Sequence, residues 1–367
     1  MIPIQRAALP SGCPPHLARS SARTPAAVKR YLAFALLAIT ACDSSTAPET
    51  PPPPPEPVAA APLSQAALLG HLNVLAADSL YGRSGGSMYE LMAAHYLRDE
   101  FLAYGLDPGT PDWLQTFDMA QGTMTSRNVL AVLPGQGALA DQWVILGAHY
   151  DHVGPRSQPP PATDTIYNGA DDNASGTALM LEIARYLSDH VAGHNMGNAD
   201  RRSIMFQAYG SEERGKIGSW YFCANPTVPM ANVVAMLNLD MVGRLHNRGS
   251  LSRATPPHAT TVPSADTLTL VGLMSSPDWL AMINEVNDDS LNFITDESLM
   301  RRSDQACFYD YHKPVLFLHT GVHAQYHQPS DEVSLIDEAG MTIVGDLALG
   351  LLLQLVVRPT APVFTGR

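Results

Sequence analysis

Gly147-Ala148-His149-Tyr150-Asp151-His152-Val153-Gly154 and, after a proline-rich loop, Asn168-Gly169-Ala170-Asp171-Asp172-Asn173-Ala174-Ser175-Gly176 decide how this chain folds. The apolar run Trp143-Val144-Ile145-Leu146 before the first motif has the length and composition of a strand. His149 and Asp151 therefore fall at or just beyond a strand end, the edge at which ligands gather in open α/β sheets. After the second motif, Leu179, Leu181, Ile183, Ala184 and Leu187 follow at roughly helical spacing. The order is strand, donor-rich loop, helix. Histidines and carboxylates without cysteine suit zinc in a catalytic site better than in a closed structural one.

The flanking sequence repeats this alternation. Leu68, Leu69, Leu72, Leu75 and Ala76 predict one helix, and Tyr89 to Tyr104 another. Between them Gly82-Arg83-Ser84-Gly85-Gly86-Ser87 reads as a turn; no strand precedes it, so a phosphate loop is not supported. Strands are predicted at Asn128–Leu133, Ser203–Tyr209, Val233–Leu239, Thr267–Val271 and Val315–Leu318, with helices at Ser276–Asp288 and Ile336–Leu355. A polar loop covers Leu245 to Asp266. Apolar strands alternating with helices predict an α/β fold with a mostly parallel central sheet and helices on both faces.

The 367 residues, 46% hydrophobic, suffice for a substantial core. Net charge is −13, and residues 1–42 hold five basic and no acidic side chains, which leaves −18 for the rest. So acidic a body excludes a nucleic-acid partner, which needs clustered Lys and Arg. No protein partner is implied. Cys223 and Cys307 fit either one disulfide or two buried thiols.

Residues 1–42 read as an export leader. Arg23, Lys29 and Arg30 precede the apolar run Tyr31 to Ala41, too short to span a bilayer but of signal length. It ends in Ile39-Thr40-Ala41-Cys42, which resembles a bacterial lipobox. Residues 43–62, with Pro51 to Pro55 in a row, read as a semi-rigid tether. The expected product is a cell-envelope lipoprotein held to the membrane only by a lipid at Cys42, with full secretion as the alternative. One domain is expected over 63–358, with a tail at 359–367.

Four strands end in metal-competent groups: His149, Glu212-Glu213, Asp240 and His327, with Asp172 between the first two. One such residue is ordinary in a loop. Repetition at four strand ends is the signature of a metal site.

His149-Tyr150-Asp151, Asp172 to Gly176, Glu212-Glu213-Arg214-Gly215, Asn238-Leu239-Asp240 and Tyr326-His327 occur in the order seen in metallopeptidase family twenty-eight, which this chain resembles from about Leu63 to Leu355. The family holds co-catalytic di-zinc aminopeptidases, with glutamate carboxypeptidase and glutaminyl cyclase as relatives. The resemblance implies a zinc-exopeptidase architecture of the phosphorylase/hydrolase-like kind, two Zn2+ per chain and peptide substrates. It implies that Asp172 bridges the ions, that Glu213 and His327 complete one site, and that His149 and Asp240 complete the other. Glu212 would be the general base and Asp151 the acceptor that fixes the His149 ring. A cis peptide is implied at Asp172–Asn173. Tyr326 is either a donor to the oxyanion or a packed tyrosine, and Asp331 either orients His327 or caps a turn. His152, His319 and His323 read as structural or solvent-facing, and Asp171 as a bystander.

Gln305 follows Asp304 where many relatives carry His, and no protease-associated domain fits between Asn128 and His149. The expected activity is aminopeptidase action. A dipeptidase or carboxypeptidase would need an Arg in the pocket, with Arg244, Arg301 and Arg302 as candidates. The same scaffold would also admit a glutaminyl-cyclase-like acyl transferase or an inactive binding protein.

Overall fold

The computed structural model describes residues 63–366 except 120–121, 157–163, 193–198, 247–265 and 289. The expected leader with Cys42, the tether and most of the polar loop after Leu245 lie outside the described residues. In chain order the elements are α1 (Gln65–Leu75), α2 (Met88–Ala103), β1 (Asp107–Pro108), β2 (Leu114–Met119), β3 (Met124–Leu133) and β4 (Trp143–His149). Then come α3 (Gly176–Ala192), β5 (Ser203–Tyr209), α4 (Ile217–Ala224), β6 (Val233–Leu239), β7 (Thr267–Val271) and α5 (Asp278–Val286). β8 (Asn292–Thr295), α6 (Gln305–Asp310), β9 (Val315–His319) and α7 (Glu338–Val357) complete the chain.

The strands form one sheet in the order β1-β3-β5-β4-β6-β9-β7-β8, with β2 paired to the free stretch of β3. The four central strands β5, β4, β6 and β9 run parallel. The flanks do not: β3 runs against β5 and β7 against β9, so the sheet is mixed and its parallel character belongs to its centre. That centre places the site. Because these four strands point the same way, the loops that leave them all emerge at one edge.

Strand residues alternate between two cores, as a period of two demands. Val144, Leu146 and Ala148 of β4 and Leu316 and Leu318 of β9 face the larger core, built with α1, α2, α3, α5 and α7. Ile145, Val315 and Phe317 face the smaller one, built with α4 and α6. Helices therefore cover both faces. The apolar α7 has the length and composition of a membrane span, but most of it is buried in the larger core. On the other face Cys223 of α4 and Cys307 of α6 are bonded to each other, which settles the choice between disulfide and free thiols. The tail beyond α7 is docked. The Thr365 amide donates to the Ser275 carbonyl, and the Phe364 ring meets Tyr309 edge-on.

Candidate metal centre

His149 is the last residue of β4 and is buried. Its Nδ1 lies 3.2 Å from the Asp151 carbonyl oxygen, which can only accept, so Nδ1 keeps its proton and Nε2 is the nitrogen turned to the metal-competent carboxylates. Nε2 lies 3.3 Å from Asp172 Oδ1 and 3.5 Å from Asp240 Oδ1. The Asp151 carboxylate differs from expectation. It stands 3.8 Å from the ring and instead accepts the amides of Glu212 at 2.8 Å and Glu213 at 3.4 Å. The Asp151 backbone orients His149, while the Asp151 side chain holds the Glu212-Glu213 turn beyond β5.

Asp172 sits in the loop before α3, and the Asp172–Asn173 peptide is cis, as the resemblance implied. Its two oxygens face different histidines: Oδ1 faces His149, and Oδ2 lies 3.0 Å from His327 Nε2. Glu213 Oε1 is also 3.0 Å from His327 Nε2. His149, Asp172 and Asp240 form one donor group; His152, Asp172, Glu213 and His327 form a second that shares Asp172. All five expected ligands thus come together, with His152 added. Of the two expectations for His152, structural or solvent-facing, the second is overturned: the ring is buried, with Nδ1 3.0 Å from Glu213 Oε1.

Every polar residue of the second motif has a task. After β6 the successive amides of Met241, Val242 and Gly243 donate to the side chains of Asn173, Ser175 and Asp171. Asn173 also donates to the Leu239 carbonyl, so the Asp172 loop and the Asp240 loop are stitched into one unit. Gly176 is required because a Cβ there would lie 2.3 Å from the Leu239 oxygen. Asp331 neither orients His327 nor caps its own turn. It accepts the amides of Asp171 and Asp172 and pairs with the buried Arg244 at 2.8 Å. Asp171 belongs to neither donor group; it holds the Gly243 amide and lies 3.1 Å from buried His323. His319 donates from Nδ1 to the Asp240 carbonyl at 2.9 Å and is structural, as expected.

Arg83 escaped the sequence reading. Fully buried, it donates to the carbonyls of Tyr150 at 2.7 Å, Leu75 at 2.8 Å and Gly169 at 2.8 Å, and to that of Asn168. The turn that carries it therefore clamps both motifs. Gln305 is spent on structure: it accepts from Asn238 and donates to the Leu299 and Met300 carbonyls. Tyr326 is not packed into the core; its ring stacks on His327 with centroids 4.0 Å apart and is 39% exposed.

Charge crowding shapes the protonation of these groups. Burial acts to raise the Asp172 carboxyl, but contacts with His149 and His327 outweigh it and hold it well below the usual range. Burial acts to lower both histidines, yet neighbouring carboxylates leave His149 well above its ordinary value and His327 raised to about 10. Burial pushes the Glu212 carboxyl well above the usual carboxylate range. The protons held so tightly on the His149 and His327 imidazoles are what a divalent cation would displace. The donor set (imidazole and carboxylate, no thiolate) fits zinc at catalytic positions.

Fold and donors together define a class: an α/β protein with two adjoining groups of metal-competent donors at the outgoing edge of its central parallel strands. Residues 128–352 match the model of Peptidase family M28, and the chain belongs to that family. It is 32% identical over 169 residues to leucine aminopeptidase 1 of Penicillium rubens, covering 45% of this chain and 40% of that one. It is 27% identical over 255 residues to a probable leucine aminopeptidase of Arthroderma benhamiae, covering 66% and 58%. The chain thus spans between about two-fifths and three-fifths of the length of these relatives. A zinc aminopeptidase from Bacillus subtilis shares the fold, with TM-score 0.60, 17% identity, and coverage of 82% of this chain and 97% of that one.

Proposed function

We propose that this chain is a metallo-aminopeptidase that uses two Zn2+ ions to hydrolyse N-terminal residues from peptides. One observation carries the reading: the two oxygens of Asp172 face two separate donor groups, one with His149 and Asp240 and one with Glu213 and His327. When bound, the ions would polarise the scissile carbonyl and lower the pKa of the attacking water. Glu212 takes that water's proton and passes it to the departing amine. Asp151 holds Glu212 in place through its amide. Tyr326, at the open side of His327, donates its hydroxyl to the carbonyl oxygen as negative charge develops there.

The end of the peptide that is attacked follows from charge. The site is rich in carboxylates, which suit a substrate ammonium. Of the three arginines a carboxypeptidase could have used, Arg244 is spent on Asp331, Arg301 on Asp310 at the surface, and Arg302 is exposed. The relatives named leucine aminopeptidase support the same choice. Purified protein with zinc should cleave aminoacyl chromogenic substrates and leave N-blocked ones intact. Cleavage of the blocked substrates, or cyclisation of N-terminal glutamine without hydrolysis, would sink the aminopeptidase reading. Elemental analysis at full activity should give two zinc ions per chain.

We further propose that the protein is exported and held in the cell envelope by a lipid on Cys42. The leader and tether support this, as does the Cys223–Cys307 bond, because disulfides persist in oxidising compartments. Metabolic labelling with palmitate should disappear in Cys42→Ser. Labelling that survives points to secretion or to another anchor.

A further inference from the structure

His152 lies at the side of the centre that holds Glu213 and His327, and its surroundings are unusual for a structural histidine. The ring is fully buried, and neither Nδ1 nor Nε2 has a hydrogen-bond partner among the described residues. Buried polar atoms are nearly always satisfied, so an imidazole left in this way has a reason that the protein atoms alone do not supply. Nδ1 points into the carboxylates: it is 3.0 Å from Glu213 Oε1, off the line a hydrogen bond needs, and 3.8 Å from Asp172 Oδ2. The His327 ring stands edge-on to it, with centroids 5.5 Å apart.

The space for this ring is built. Gly169 packs directly against it, and a Cβ at that position would lie 2.5 Å from His152 Cγ. The His152 amide, 3.4 Å from the Arg83 carbonyl, ties the backbone to the clamping turn. Four donors about a zinc at bonds of about 2.0–2.1 Å stand roughly 3.3 Å from one another. The four separations that link His152 and His327 to Asp172 and Glu213, 3.0 to 3.8 Å, bracket that spacing.

We infer that His152 is a metal ligand, through Nδ1, at the position held by Asp172, Glu213 and His327. This rests on the two-cation reading above and makes the two positions unequal. One has four protein donors, the pattern of a closed site that retains its ion; the other has His149, Asp172 and Asp240 and keeps room for water and substrate. The inference assigns retention to the first ion and exchange to the second.

The test uses the whole protein, zinc alone as the probe, and readouts other than activity. Chelator competition on the wild type should resolve a tight and a weaker zinc. His152→Gln, which keeps bulk beside Gly169, and His152→Ala should each weaken the tight step by about 100-fold or more and leave the weaker step within about threefold. A crystal structure of the zinc-loaded wild type should place His152 Nδ1 at bonding distance from one ion. If both ions are present and His152 is turned away from them, or only donates to Glu213, the inference fails while the two-cation reading stands. If no ion occupies the Glu213–His327 position, both fail. Thermal unfolding of the zinc-free variants near that of zinc-free wild type assigns any lost affinity to the metal contact; a large drop, with Nδ1 unbound in the crystal, assigns it to packing and overturns the inference.

Discussion

Glu212 and Glu213 are adjacent, yet their surroundings give them different work. Glu213 Oε1 contacts His327 and His152, and although burial and the Asp172 charge act to raise its pKa, those histidines leave it lowered. That suits the proposed role of a ligand. Glu212 belongs to neither donor group, and burial raises its carboxyl, which suits a base once cations nearby pull it back toward neutrality. Glu212→Gln should therefore lower kcat by roughly 10²–10⁴-fold with zinc retained. Glu213→Gln should lose zinc affinity as well. Metal analysis beside turnover checks both, and zinc loss in the first variant but not the second would reverse the assignment. The residue identities were readable in sequence because the five motifs keep their order. The roles of Asp151, Asp171, Asp331 and Gln305 were not, because each acts on a backbone group distant in the chain or in an atom-specific way that spacing does not reveal.

At the level of elements, the site is held by loops whose own regular hydrogen bonding is limited to single helical turns. The loop from Ala170 to Ser175 is fixed by Asp331 on one side and by the amides of residues 241–243 on the other. Arg83 fixes its entry and the exit of β4 together. Arg83→Leu would leave several buried carbonyls unsatisfied, and each costs about 1–3 kcal/mol. We expect at least about 3 kcal/mol lost from the stability of the zinc-free protein in urea, together with weaker zinc binding. A change below about 1 kcal/mol would mean that water replaces the guanidinium without penalty. Long apolar elements such as β5, β6 and β7 were legible to the residue, since burial on both faces demands continuous apolar runs. The short strands β1, β2 and β8 were not, because edge pairings with a neighbour distant in sequence leave little local pattern.

For the whole molecule, zinc, protons and stability are linked. His149 and His327 lie above their ordinary pKa in the folded protein, His327 at about 10. A group raised in this way adds stability in full below about 6.5 and loses it as pH rises through its folded value. The zinc-free protein should therefore become less stable between about pH 6.5 and 10. Zinc must displace those protons, so its affinity should rise with pH over the same window, and binding at pH 7 should release protons. Titration calorimetry in buffers of different ionisation enthalpy reads the release, and proton uptake would contradict it. The Cys223–Cys307 bond spans 84 residues on the face away from most helices. In the chain-entropy account its removal costs about 4–5 kcal/mol. Cys223→Ser with Cys307→Ser should lower the unfolding temperature of the zinc-loaded protein, and an unchanged value would show that packing of α4 on α6 suffices.

The sequence by itself determined the alternation of elements, the central strands and the metal-competent residues at their ends, because apolar periodicity and residue chemistry are local properties. Tertiary structure decided what depends on neighbours far apart in the chain. It set the antiparallel flanks, joined Cys223 to Cys307, divided the donors into two groups around Asp172, and brought His152 and Arg83 into the centre. The physical reason is that a buried polar atom is defined by what replaces its water, and that replacement comes from whichever loop the sheet carries to its side.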